Sequence, residues 1–357
     1  MTTELSRTLP GSTIAWLTSE VNPVVAVLTR RILLEEADSP ALDALWARRN
    51  EYAPVAEILS HVAEDGSWDK PSQDYRKYTG SLWQIHFLGE LHADGSDERI
   101  DRACGYAFSR QLPDGSWSCN GRTSASIPCL TANVGRAIAR LGHSRDERVI
   151  AALRHCVELW AELGALDCRG GVGCHLNGYC HMLTPKLLLF LAEVPHELWP
   201  EGADRLRDDC VAALRDKRVY RSLPTASREF QNAIYGVPAA EQRAFRDRFV
   251  AEHAPLIWGP KPGWLRFGYP LSYNSDVLEA LWALALHGEP MRDEYSDALE
   301  VVRAAADTEL RWTLRTTFNG RMLADVEIKG EPSRWLTLRA LRVLGHFGVN
   351  HPAATHV

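Results

Sequence analysis

The stretch GYAFSRQLPDGSWSC, residues 105–119, sets Gln111, Asp114, Gly115 and Trp117 in a fixed order at the end of a helical pattern. Its meaning depends on recurrence, because a repeat mistaken for unique sequence misassigns the whole fold. Asp114-Gly115-Ser116-Trp117 has a twin in Asp65-Gly66-Ser67-Trp68, 49 residues earlier. Gly170-Gly171-Val172 is a degenerate copy about 55 residues on, Gly263-Trp264 falls near two further units, and Trp312 lies 48 residues beyond Trp264. A second marker keeps step: Ser96-Asp97-Glu98-Arg99, Arg145-Asp146-Glu147-Arg148 and Arg292-Asp293-Glu294-Tyr295 are offset by 49 and then 147 residues. The chain is an array of units of roughly 50 residues.

Each unit predicts two helices. SLWQIHFLGEL, CLTANVGRAIARLG, LTPKLLLFLAEV, DVLEALWALALHG and WLTLRALRVLG are apolar on most faces, the pattern of helices buried on two sides. Each tends to stop at a glycine (Gly89, Gly142, Gly288, Gly345), which supplies a left-handed C-terminal cap. A polar turn and a more amphipathic helix follow, so the units predict an inner and an outer layer. Hairpins are expected at about 28–65, 79–113, 128–165, 181–218 and 274–310, with a final inner helix at 333–347 pairing with the segment near 12–20. Residues 219–262 break the repeat and read as a lid or a partner surface. The expected fold is all-α, a single (α/α)6 toroid over residues 1–357; an open solenoid with capping repeats satisfies the same periodicity.

Composition narrows the partners. With 357 residues and a net charge of −6, and no basic cluster beyond Arg30-Arg31, the chain offers no field for a nucleic acid. No window is apolar enough to predict a transmembrane segment, and no signal peptide is evident, so a cytoplasmic location is expected. A protein partner has no support in the sequence. Eight cysteines in such a chain predict thiols or metal ligands rather than a disulfide framework.

Gln111-x-x-Asp114-Gly115-Ser116-Trp117 resembles the QW motif of the terpene cyclase and protein prenyltransferase superfamily, and weak repetition of it covers about 28–347. The run ADVEIKGEPSRWLTLRALRVLG also looks like the ending of bacterial squalene-cyclase-like and prenyltransferase-like proteins. The resemblance implies an (α/α)6 toroid in which the Gln caps a helix end and stacks on the Trp, fastening outer helices together. The opening stretch is then a structural clasp.

In such a toroid the inner helices run parallel, and their N-termini gather at one end as a partly positive mouth. Residues expected there include Tyr78 and Ser81, Cys129 and Asn133, Cys180 and His181, Asn274 to Asp276, and Ser333 to Trp335. Cys168, Cys174, His175, Cys180 and His181 fall within fourteen residues, and thiolate with imidazole is the donor set that selects zinc. The candidate metal ligands are Cys129, Cys174, Cys180 and His181, weighed against buried thiols in small-residue loops. In prenyltransferase β subunits a zinc-binding D-x-C follows a Gly-Gly-aromatic turn. Cys180 matches that cysteine, whereas Gly178 stands where the family has Asp, and the family's later His region reads Tyr273-Asn274-Ser275-Asp276. The D-x-D-D acid of class II terpene cyclases does not occur in this chain.

Asp276 is the candidate general acid or base, set against a role as a helix-capping carboxylate with Ser275 or Asn274 as the cap itself. His86 and His181 are the other catalytic candidates, and a lone His in an apolar helix is more often a core residue. Tyr78, Trp83, Asn133, Tyr273, Trp282 and Trp335 are expected to line the cavity, against the alternative of plain core packing. The expected activity is a cyclase- or prenyltransferase-like step on a hydrophobic or isoprenoid small molecule, assisted by acid or zinc. The rival is a non-catalytic toroid that binds a ligand or partner and carries a structural zinc or none.

Overall fold

The computed structural model describes residues 9–163, 180–234, 236–238, 241–255 and 258–349. Among them the chain is all-α, with fifteen α-helices and two antiparallel pairs of two-residue strands. The helices are α1 (Gly11–Leu17), α2 (Pro23–Leu28, extended by a wide turn at Thr29–Leu33), α3 (Pro40–Ala47), α4 (Ala53–Ser60), α5 (Ser81–Glu90) and α6 (Glu98–Ser109). Then come α7 (Pro128–Ile138), α8 (Glu147–Leu163), α9 (Leu183–Leu191), α10 (Ala203–Asp216), α11 (Pro224–Ile234) and α12 (Gln242–Glu252). The series ends with α13 (Val277–Leu286), α14 (Ser296–Ala304) and α15 (Arg334–His346).

Local chemistry sets where these helices begin. Pro sits at the first turn of α2, α3, α4 and α7, where its missing N–H costs nothing. Side chains of Asn22, Ser39, Asp97, Asp276 and Ser333 accept N–H groups left open by the first turns of α2, α3, α6, α13 and α15. Asp276 is therefore itself the cap, one residue outside α13, and not an acid inside a first turn capped by Ser275 or Asn274.

Two layers follow from burial. Every residue of α5, α7 and α9 is buried, while α6 and α10 bury one face. The buried helices pack in succession, α5 on α7, α7 on α9, α9 on α13, α13 on α15 and α15 on α2. α5, α7, α9 and α13 run parallel: Gly89 near the end of α5 meets Ala137 near the end of α7, and Gly135 late in α7 faces Phe190 late in α9. At the other end, Lys186 early in α9 pairs with Glu279 early in α13. A Cβ on Gly89 would stand 2.6 Å from the Ala137 Cα, so this glycine permits close helix contact rather than capping α5. The left-handed residue after α5 is His92 (φ 55°), and after α15 it is Gly348, not Gly345; Gly142 and Gly288 do take positive φ.

The repeat is visible at the level of single hydrogen bonds. Trp68, Trp117 and Trp312 each donate the indole N–H to a carbonyl ten residues back on the preceding outer helix, at Ile58, Ala107 and Val302. Their backbone N–H groups donate to hydroxyls on the next buried helix, Ser81, Thr131 and Thr337. Asp65 and Asp114 each accept the N–H and hydroxyl of the serine two residues on. Gly66 and Gly115 share φ +84°, and Leu310 holds the same turn position in the third copy with φ 56°. Gln111 donates to Gly115 O and Arg148 O, tying the end of α6 to the start of α8.

Residues 221–260 add a separate piece. α11 and α12 pack on each other around Leu223, Phe230, Ile234 and Phe249, and the strands Arg221–Ser222 and Gly259–Pro260 pinch the base. The predicted first hairpin, 28–65, starts late, because the buried helix begins at Pro23 and α3 intervenes before α4. Trp16 of α1 accepts an Arg334 N–H at its carbonyl, linking the N-terminal helix to the final one.

Candidate functional site

The N-terminal ends of the buried helices hold most of the residues singled out from sequence. Cys129 lies in the first turn of α7, and Cys180 precedes α9, its Sγ accepting the Leu183 N–H at 3.4 Å. His181 Nε2 stands 3.3 Å from Arg221 O, with its ring edge-on to Trp264, which turns that nitrogen toward the 221–260 piece. Cys168, Cys174 and His175 lie outside the described residues. Among the described residues no group of three or more His, Cys, Asp or Glu side chains is disposed to hold a metal.

The structure brings an unpredicted element here, a strap of residues 267–275 that runs along α5 from its C-terminal Glu90 past His86 to Trp83, touches the middle of α7 at Asn133 and leads into the start of α13. His86 meets Leu271 O at 3.0 Å, Asn133 Nδ2 donates to Ser272 O at 3.1 Å, and Tyr269 Oη donates to Glu90 O at 2.6 Å. Gly268 N–H donates to Asp276 Oδ2, while Asp276 Oδ1 accepts the Glu279 N–H. His86, Asn133 and Asp276 are thus bonded to the chain's own backbone. Since a carbonyl only accepts, the neutral His86 carries its proton on Nε2. Burial pushes His86 down to about 4, so it is uncharged at neutral pH.

The aromatic candidates pack around the strap. Tyr273 sits edge-to-face on Trp83 at 5.1 Å, Trp83 donates its indole N–H to Tyr75 O, and Tyr78 (φ 71°) stacks on Phe318 at 4.4 Å. Trp335 lies between Tyr269 (4.8 Å) and His92 (5.9 Å) in a near-parallel stack, and Trp282 lies under Arg342.

Two buried charge clusters accompany these groups. Lys186 and Glu279, each 1% exposed, pair through both carboxylate oxygens. Asp276 stands beside Glu279. Burial, then the Glu279 charge, pushes Asp276 up to about 7 against the pull of two backbone N–H donors. Because this folded value exceeds the reference of 3.8, native Asp276 binds a proton that the unfolded chain releases between those values. Its stabilisation is complete below about pH 4 and is lost as pH rises through about 7. Urea unfolding at pH 5 and pH 8 should therefore give an Asp276→Asn variant a flatter pH response than the parent, by up to about 2.6 kcal/mol. Equal slopes in the two proteins would remove Asp276 from the pH response.

The second cluster was not foreseen. At the C-terminal ends of the buried helices, Arg136 pairs with Glu90, Arg140 pairs with Glu193, and Arg339 Nη2 lies 3.7 Å from Glu90. Burial disfavours the Glu90 carboxylate, but Arg136, Arg140 and Arg339 outweigh it and hold the group well below the usual range. His92 is pushed well below its ordinary value by burial and then by Arg140. The signal was present in the sequence: Arg136 and Arg140 at i,i+4, and Arg339 and Arg342 at i,i+3, interrupt helices that are otherwise apolar all round.

No protein-family model matches the chain, and no curated protein matches it. No helix among the described residues is long and apolar enough to cross a membrane.

Proposed function

We propose that the buried helices close into an α/α toroid of the terpene cyclase and prenyltransferase type, and that the protein acts on a hydrophobic or isoprenoid small molecule. The observation that carries this reading is the packed succession α5, α7, α9, α13, α15 and α2, the first four of them parallel. It collects a buried acid, Asp276, with Trp83, Tyr273 and His86 at one end. A carboxyl that keeps its proton near neutral pH suits acid assistance of cyclisation or transfer. Cys129, Cys174, Cys180 and His181 would hold a zinc ion supplying Lewis acidity. Farnesyl and geranylgeranyl diphosphate incubated with purified protein should give cyclised or transferred products by mass spectrometry. Asp276→Asn should lower turnover about 10²–10⁴-fold. Absence of product from the folded parent, with zinc supplied, would refute this reading.

The strap favours one alternative. Its carbonyls are fixed by His86 and Asn133 in the space a long prenyl chain would need, which suits a toroid that binds without transforming. In that case the parent would bind prenyl diphosphates without turnover, or ignore them.

A further inference from the structure

The arginine cluster borders a chamber. Its cavity is about 50 Å³, with walls from His92, Arg140, Tyr269, Trp282, Arg339 and Arg342. A water needs only about 10–15 Å³ on this measure, and drug-sized ligands occupy roughly 300–1,000 Å³, so the space suits a small polyatomic ion or head group. An outer cleft of about 380 Å³ shares His92 and Arg140 as walls and is also bounded by Trp46, Arg49 and His143. The Arg49 guanidinium pairs with Asp94 of that cleft at 2.7 Å.

Charge around the chamber does not balance. Four guanidinium groups, Arg136, Arg140, Arg339 and Arg342, face two carboxylates, Glu90 and Glu193. Arg342 has no acid partner among the described residues; it lies 4.1 Å from the Trp282 ring centre and feels chiefly burial and then the repulsion of Arg339 and Arg140. Arg136 is 3% exposed, yet its Nε and Nη2 find no hydrogen-bond acceptor among the described residues. Arginine stays charged at any working pH, so proton loss does not relieve this excess. Planar guanidinium groups converging on a small space match the oxygen geometry of phosphate. His92, in a left-handed conformation after α5 and held neutral, offers a donor or an acceptor at the entrance.

We propose that this chamber binds a phosphate group, either as the free ion or as the head of a phosphomonoester whose organic part lies in the outer cleft. Arg342, Arg339 and Arg140 take the oxygens, and Trp282 and Trp335 form the flat walls. Its wall residue Tyr269 follows Gly268, which bonds Asp276, so the chamber neighbours that acid; the arginines that take the oxygens are not among the groups proposed for catalysis.

The test uses the full chain at constant ionic strength, titrated with inorganic phosphate, glycerol 3-phosphate or acetate. Tryptophan fluorescence and melting temperature are both read. A saturable change with phosphate is expected, with acetate inert. Tighter binding of glycerol 3-phosphate than of phosphate identifies the monoester, and the reverse identifies the free ion. Arg342→Gln orphans no carboxylate and should stay folded, with phosphate bound about 10- to 100-fold more weakly. Arg342→Lys, keeping the charge, should recover part of that loss. Responses to phosphate no larger than to matched sodium chloride, an equal response to acetate, or undiminished binding in Arg342→Gln would each overturn the proposal.

Discussion

Trp117→Ala should cost about 3–5 kcal/mol of unfolding free energy, the range for deleting a large buried aromatic. The side chain is 0% exposed, and its removal leaves a cavity between α6 and α7 that the surrounding helices cannot close without breaking their own contacts. The indole also satisfies the Ala107 carbonyl near the end of α6, and the Trp117 backbone reaches the Thr131 hydroxyl on α7. Trp117→Phe keeps much of the apolar area and loses the N–H, so a loss of about 1–3 kcal/mol is expected. Gln111→Ala, which releases partly exposed bonds to Gly115 and Arg148, should cost only about 1 kcal/mol. Urea unfolding followed by far-UV circular dichroism measures all three. A loss under about 1 kcal/mol for Trp117→Ala would mean that the turn merely lies on the helices and does not fasten them.

The reason that turn was legible from sequence is the reason it is stiff. Asp, Gly, Ser and Trp each answer a local demand: a carboxylate for two donors, a positive φ, a hydroxyl and a buried ring. Such local demands recur as letters, and their period gave the helix pairs of the 79–113, 128–165 and 181–218 units. The third copy shows where letters fail. Asp307 and Leu310 keep the hydrogen bonds of the turn without its Gly-Ser spelling, because Asp307 accepts N–H groups from Glu309 and Arg311. The strap was illegible for a different reason. Nothing within residues 267–275 says that His86 and Asn133, 185 and 139 residues from their respective partners Leu271 and Ser272, will take its carbonyls. The candidate cavity residues were therefore found as buried polar groups, while their partner, the chain itself, was not. His92 was hidden because Gly89 looked like the cap, although its lack of a side chain serves the contact with Ala137.

Lys186→Met should be the most damaging single charge change, at about 3–5 kcal/mol, because it strips the counterion from a carboxylate with no access to water. Glu279 would then have lost its paired cation while standing beside Asp276. The sign of the pH response follows. Protonation relieves an orphaned carboxylate, so the deficit should be smaller at pH 5 than at pH 8. A Lys186→Met/Glu279→Leu double variant removes both charges and should regain most of the loss, since a well-packed apolar pair often equals a buried ion pair in stability. Unfolding curves for the three proteins at both pH values decide the matter. A single variant as stable as the parent would mean that water reaches Glu279 and that the pair is not buried as the structure has it. Recovery in the double variant would assign the pair a positional role instead. It fixes the start of α9 against the start of α13, and through the Asp276 cap it fixes Gly268 and the strap. The double variant should then be stable but altered where the strap meets His86, which the ring proton shifts of His86 would report.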